Sequence, residues 1–197
     1  MTKKLFRKLF FGVFFLATGY QTAFSQMKGI DVDVGYHVQP FDSLTSLGLD
    51  GGVHYYWTEN MGAGFKIRYL QDTSSASTLY KTKDIENTFL LLFDYQLNGN
   101  FGESGLVLQP GLYYSMPGGS LTLTGTTEAL AEISKESGYG ASLGATYKHY
   151  LSEGFFLLGG AAVDVKAKAS EIAFPSVRII RDAPLILDLR VGLGGSF

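Results

Sequence analysis

Leu185-Ile186-Leu187-Asp188-Leu189-Arg190-Val191-Gly192-Leu193-Gly194-Gly195-Ser196-Phe197 carries the clearest signal of the fold. Side chains of an extended strand alternate between two faces. Leu185, Leu187, Leu189, Val191 and Leu193 therefore share one face, and Ile186, Asp188, Arg190, Gly192 and Gly194 share the other. Phe197 falls in phase with the leucines. A strand buried on both faces reads as a nearly continuous apolar run. This one has a face fit for lipid and a face carrying charges and glycines, as a strand of a transmembrane barrel does.

Seven more stretches of about ten residues show the same period, bounded by turn residues. Their approximate bounds are 28–38, 47–57, 61–71, 86–97, 105–115, 138–150 and 154–167. In the third, Met61, Ala63, Phe65, Ile67 and Tyr69 oppose Gly62, Gly64, Lys66 and Arg68. The fourth is less clean, because Leu90 and Leu92 share the inner face with Asp94. In the fifth, Pro110 cannot donate to a ladder, which predicts a bulge or a lost bond there. The reading is an all-β chain, an eight-stranded antiparallel transmembrane up-and-down β-barrel.

The N-terminus reads as an export signal. Lys3, Lys4, Arg7 and Lys8 precede the apolar run 10–17, and Ala23-Phe24-Ser25 is a small-x-small cleavage site. The division is thus a signal peptide, 1–25, and an outer-membrane barrel domain, 26–197. The apolar run is too short to span a bilayer as a helix. With no Cys there is no acylation site and no disulfide framework. No metal or other cofactor is expected. The whole chain has net charge −2. Residues 1–25 hold four cations and no anions, so the mature chain stands at −6, which argues against a nucleic-acid partner. Charged residues make up 17% and aromatics 14%, with 25 Gly, a balance suited to a barrel.

The connections alternate in length. Those at 58–60, 98–104 and 152–153 are short, whereas 39–46, 72–85, 116–137 and 168–183 are mostly longer. That is the outer-membrane arrangement, with short periplasmic turns and long outer loops. Aromatic rings favour the two interfacial levels. Trp57, Tyr95, Tyr147, Tyr150, Phe155 and Phe197 fall near the periplasmic level, and Tyr36, Tyr69, Phe89, Tyr114 and Tyr139 near the outer one.

Signal peptide, eight alternating strands, long outer loops and terminal Phe197 together resemble the small eight-stranded outer-membrane barrels, typified by OmpX and the membrane domain of OmpA. The resemblance implies residence in the outer membrane of a Gram-negative-type cell and insertion by the barrel-assembly machinery, with Phe197 closing the insertion signal. The junction Ala23-Phe24-Ser25-Gln26 and the start Met27-Lys28-Gly29-Ile30 also resemble the small exported TraO proteins of conjugation systems.

An eight-stranded barrel has an interior just wide enough for side chains. The inward set holds Asp31, Asp33, Asp50, Asp94, Asp164 and Asp188 against Lys66, Arg68, Lys148, Lys166 and Arg190, nearly balanced in sign. Buried charges must be paired, so an interior ion-pair network is expected. If 58–60 is a three-residue hairpin loop, Asp50 lies opposite Arg68, and a salt bridge between them follows.

Three function classes remain. A lipid-modifying enzyme needs a nucleophile and base at the outer leaflet; His37, with Asp42, Ser43 and Ser46 of the first loop, is the nearest approach, and no Gly-x-Ser-x-Gly string occurs. A narrow channel or an envelope-machine subunit is the second class. A plugged barrel with a structural or surface-interaction role is the third and the preferred one. Its contacts would be outer-membrane lipid and a surface or envelope protein reached through 72–85, 116–137 and 168–183. Within 116–137, Leu121 to Thr124 would extend a strand above the membrane, and Glu128 to Lys135 would form a short helical turn.

Overall fold

The computed structural model describes residues 29–39, 46–74, 80–126, 129–175, 177–181 and 183–197. Its strands are β1 (Gly29–Gln39), β2 (Ser46–Tyr56), β3 (Met61–Ser74), β4 (Tyr80–Gln96), β5 (Gly105–Leu123), β6 (Ala129–Leu130), β7 (Ser134–Glu136), β8 (Gly138–Ser152), β9 (Phe155–Lys168), β10 (Ser170–Ala173), β11 (Arg178–Arg181) and β12 (Leu185–Ser196). The eight long strands pair antiparallel in the order β4-β3-β2-β1-β12-β9-β8-β5, and β4 pairs with β5 to close the ring. Closure leaves the barrel wall without a free edge. The proposed leader 1–25 and the loop residues Asp42 and Ser43 lie outside the described residues.

The closing seam is stitched at the chain's end. Phe197 donates its N–H to the Ile30 carbonyl at 2.8 Å and accepts from the Ile30 N–H at 2.9 Å. The Phe197 side chain is 82% exposed and points outward with the leucine series. The apolar face of every wall strand is turned out: Val34, Leu91, Leu143 and Val191 are all more than half exposed. Wrapped around a whole barrel, so much apolar surface calls for an apolar solvent, and the band is the lipid-facing surface of a transmembrane barrel. No described helix is long and apolar enough to cross a membrane.

Hairpin geometry follows the turn residues. Trp57 and Thr58 both donate backbone N–H groups to the Met61 carbonyl, and β2 pairs with β3 in the register that sets Asp50 opposite Arg68. At Pro110 the β4–β5 register is kept, but pairing passes from Leu92–Gly111 directly to Tyr95–Leu108. The ladder loses bonds there without a bulge. The Gln109 side chain, donating to Asp94 Oδ1 at 2.7 Å, ties the two strands together beside the gap.

The described parts of the connections at 72–85, 116–137 and 168–183 hold more strand than their composition implies. β3, β4 and β5 run on through 72–74, 80–85 and 116–123, so much of two expected loops is strand. β6 adds to β5 through Leu121–Leu130 and Thr122–Ala129. β7, β10 and β11 form a separate three-stranded sheet. Of the expected helical turn at Glu128 to Lys135, Glu128 lies outside the described residues and the rest is not helical, since Ala129–Leu130 and Ser134–Glu136 are strands. Tertiary pairing overrode local propensity there. Leu121, Ile172 and Phe174 bury a small core, with Leu130, Val177 and Ile179 packed against it. The outer end therefore carries a packed cap.

Candidate functional site

Two regions carry chemistry: the interior of the barrel and the outer cap. The interior is built by the inward positions of the alternating strands, and many of its side chains are buried.

At the periplasmic end Lys148 pairs with Asp31, and its Nζ donates to the Tyr56 hydroxyl at 2.9 Å. The same ammonium sits 4.9 Å from the Tyr56 ring centre and 5.2 Å from that of Phe156. This distance suits a cation–π contact. Tyr56 packs on Phe101 at 5.0 Å, and Phe156 on Tyr150 at 5.1 Å. The Tyr150 hydroxyl hydrogen-bonds Ser196 at 2.6 Å. Tyr150 thus belongs to this inner stopper and not to the interfacial girdle that the sequence assigned it. Its place follows from parity, because it shares the inward phase of Lys148.

Above the stopper, His54 Nδ1 lies 2.5 Å from Asp94 Oδ2, and Nε2 lies 3.3 Å from Asp33 Oδ2. Thr146 donates to Gln109 at 2.7 Å, and Gln109 in turn to Asp94. Arg190 binds two carboxylates, Asp33 at 2.5 Å and Asp50 at 2.5 Å. Arg68 donates to Asp164 at 2.6 Å and lies 3.4 Å from Asp188. The expected Asp50–Arg68 bridge is therefore corrected: the two residues face each other, but Arg68 takes a partner across the lumen, and Asp50 takes one on β12, with only β1 between. Long side chains in so narrow a barrel reach strands that are not neighbours in the wall. Asp188 also bonds His37 Nδ1 at 2.9 Å and Gln39 at 3.3 Å. His37 is fully buried in this cluster, so it is a lumen residue with no access to the outer leaflet. Lys66 is buried, opposite Gly52 on the paired strand. Lys166 is half-buried, next to a bulge where β8 and β9 shift register.

Leu90, Leu92 and Tyr113 form a buried apolar cluster inside the wall. Near the top, Glu86 accepts from Ser170 at 3.0 Å, which ties the cap to the lumen. A cavity of about 30 Å³ borders Asp50, Lys66, Arg68, Asp188 and Arg190. It is large enough for a water or two and too small for a solute.

The balance of charge differs from the sequence tally. Buried Asp31, Asp33, Asp50, Glu86, Asp94, Asp164 and Asp188 outnumber buried Lys66, Arg68, Lys148 and Arg190. His37 and His54 supply further contacts to carboxylates. Both histidines, with Gln109 and Glu86, belong to the network although the sequence tally left them out. Their phase in the alternation was the available signal. Phe101 had none, since it enters from a turn: its backbone N–H is held by the Glu59 carbonyl at 2.6 Å. Among the described residues no group of His, Cys, Asp and Glu is arranged to hold a metal ion.

No protein-family model matches the chain, and no curated protein matches it in sequence. Its architecture does match solved structures. A major outer membrane protein from Thermus thermophilus superposes with a TM-score of 0.59 at 14% identity, over 85% of this chain and 99% of that one. OprG from Pseudomonas aeruginosa gives 0.58 at 14% identity, over 89% and 98%. Ail, the attachment invasion locus protein of Yersinia pestis, in complex with the heparin analogue sucrose octasulfate, gives 0.55 at 12% identity, over 87% and 100%. At these identities the likeness is one of fold. The chain has the fold of the small eight-stranded outer-membrane barrels.

Proposed function

We propose that the protein resides in the outer membrane and acts at the cell surface through its cap, with the barrel serving as a sealed anchor. One observation carries this reading: buried side chains crowd the lumen at three levels. The Tyr56–Phe101–Phe156 stopper, the ion-pair network and the Leu90–Leu92–Tyr113 cluster support a sealed barrel. The surface available to a partner is then the cap, built from the described parts of 72–85, 116–137 and 168–183. Such extracellular segments are where rigid scaffolds carry binding. An attachment protein among the structures of like fold is consistent with a surface role.

Delivery would follow from residues 1–25 acting as a cleaved leader and from the barrel-assembly machinery acting on the C-terminal strand. The test of the sealed barrel is recording from purified protein in planar bilayers. No stable conductance is expected. Reproducible single-channel steps, altered by Asp94→Ala or Arg190→Ala, overturn the reading and promote a narrow channel. The test of placement is fractionation with N-terminal sequencing: an outer-membrane protein beginning at Gln26 is expected, and one that retains Lys3 to Leu16 contradicts it.

A further inference from the structure

We infer that Lys81 and Lys83, on the outward face of β4, form a binding site for the phosphate groups of an anionic lipid in the outer leaflet. The inference rests on the membrane placement above and adds a ligand to it.

The heights along the strand carry the argument. On β4 the outward positions run Tyr95, Phe93, Leu91, Phe89, Asn87, Ile85, Lys83, Lys81. Tyr95 pairs with Met61 at the foot of the β3–β4 hairpin, so it marks the periplasmic edge of the band. Ten residues of strand, from Tyr95 to Ile85, span about 33 Å. At a strand tilt of ~40° this rises about 25 Å, the height of the apolar band of such barrels. Ile85 is then the last apolar residue of the band. Lys83 and Lys81 stand about 5 and 10 Å higher, within and at the rim of the headgroup layer. Lysine stems lie along apolar surface while the ammonium reaches the polar layer.

The neighbours agree in chemistry. Both lysines are exposed. In the β4–β5 ladder, Ser120 lies opposite Lys83 and Thr122 opposite Lys81, and the Thr122 hydroxyl donates to the Lys81 carbonyl at 3.4 Å. Below them Met116 and Tyr114 continue the lipid-facing surface, 40% and 46% exposed. No carboxylate occupies the outward positions of 81–89 on β4 or of 112–122 on β5. The acidic residues of this ribbon, Asp84 and Glu86, fall on the inward phase. Two cations flanked by hydroxyls, continuous with a surface that meets acyl chains, match a lipid whose headgroup bears phosphate. Each basic residue at a membrane surface strengthens the attraction to anionic lipid by about fivefold.

The test uses the full mature protein inserted in phosphatidylcholine vesicles doped with diphosphoryl lipid A. Extraction into mild detergent and native mass spectrometry then count retained lipid A. Wild type and a Lys135→Gln control on the cap should retain lipid A, and Lys81→Gln/Lys83→Gln should retain it about fivefold less for each lysine removed. Dephosphorylated lipid A should be retained by none of them, and inorganic phosphate should not displace the bound lipid. Equal retention by wild type and the double variant overturns the site, as does an equal loss in Lys135→Gln. Displacement by inorganic phosphate overturns its assignment to lipid. Heat-modifiable gel mobility, read on the same samples, separates the premise from the site: a wild type that never inserts overturns the membrane reading itself.

Discussion

Asp50 and Arg68 stand opposite each other on β2 and β3, yet Arg68 bonds to Asp164 on β9, and Asp50 bonds to Arg190 on β12. The wall fixes which residues meet at the backbone, and the lumen fixes which charges meet at their tips. This exchange converts a pair within one hairpin into a strut across the barrel, Arg68–Asp164, and a tie over one intervening strand, Asp50–Arg190. It links β2 and β3, from the first half of the chain, to β9 and β12, from the last.

Double-mutant cycles should report that exchange. Arg68→Ala alone leaves buried carboxylates without their cation, and a loss of about 3–5 kcal/mol is expected in urea unfolding from lipid vesicles. Coupling should be large for Arg68 with Asp164 and small for Arg68 with Asp50. The reverse order would mean that the hairpin pair is the real one.

Glycine is required at position 64 for a packing reason. Gly64 faces His54 across the β2–β3 ladder, and a Cβ there would press into the His54 ring. His54 is held between Asp33 and Asp94 and has little room to yield. Gly64→Ala should cost roughly 1–3 kcal/mol. Gly51→Ala, whose Cβ would meet only ordinary contacts, should be close to neutral in the same assay. Similar losses at the two positions would show that the interior yields to an added methyl.

Gln109 tests the repair beside Pro110. Its amide donates to Asp94 and its carbonyl oxygen accepts from Thr146, next to the two missing ladder pairs. Gln109→Leu keeps much of the volume and removes both bonds. A loss of about 1–3 kcal/mol is expected from the unsatisfied Asp94 and Thr146, with local amide exchange of β4 and β5 rising near Phe93. Unchanged protection there would mean that the side chain does not hold the strands together.

Deleting Phe197 should act on assembly. The deletion removes both backbone bonds to Ile30 at the closing seam together with an exposed aromatic of the interfacial level. Less protein in the outer membrane and more degradation before insertion are the expected outcomes, read by fractionation and heat-modifiable mobility. Phe197→Tyr should behave like wild type. Equal yields for the deletion and the wild type would show that neither the seam nor the ring guides insertion.

Much of this molecule was legible in its sequence, for a physical reason. A barrel wall imposes a period of two on every strand, and lipid outside against charge inside writes that period in residue types. Leu185 to Phe197 therefore revealed the fold, and the turn at 58–60 sufficed to place Asp50 opposite Arg68. The inward phase of Leu90 and Leu92 was readable too, and both are buried. The cap was less legible. Glu128 to Lys135 has helical propensity, but β5 and β10 offered its backbone partners in strand form. Phe101 could not be foreseen as part of the stopper, because a turn residue carries no phase.

Residue order alone specifies the wall: eight strands, their faces, and the hairpin registers that short turns dictate. The pairing of the charges is set only once the barrel closes. Closure sets β9 across the lumen from β3 and leaves only β1 between β12 and β2, at distances that side chains span. Which ammonium or guanidinium reaches which carboxylate then depends on the width and stagger of the finished barrel, quantities that no local stretch of residues contains.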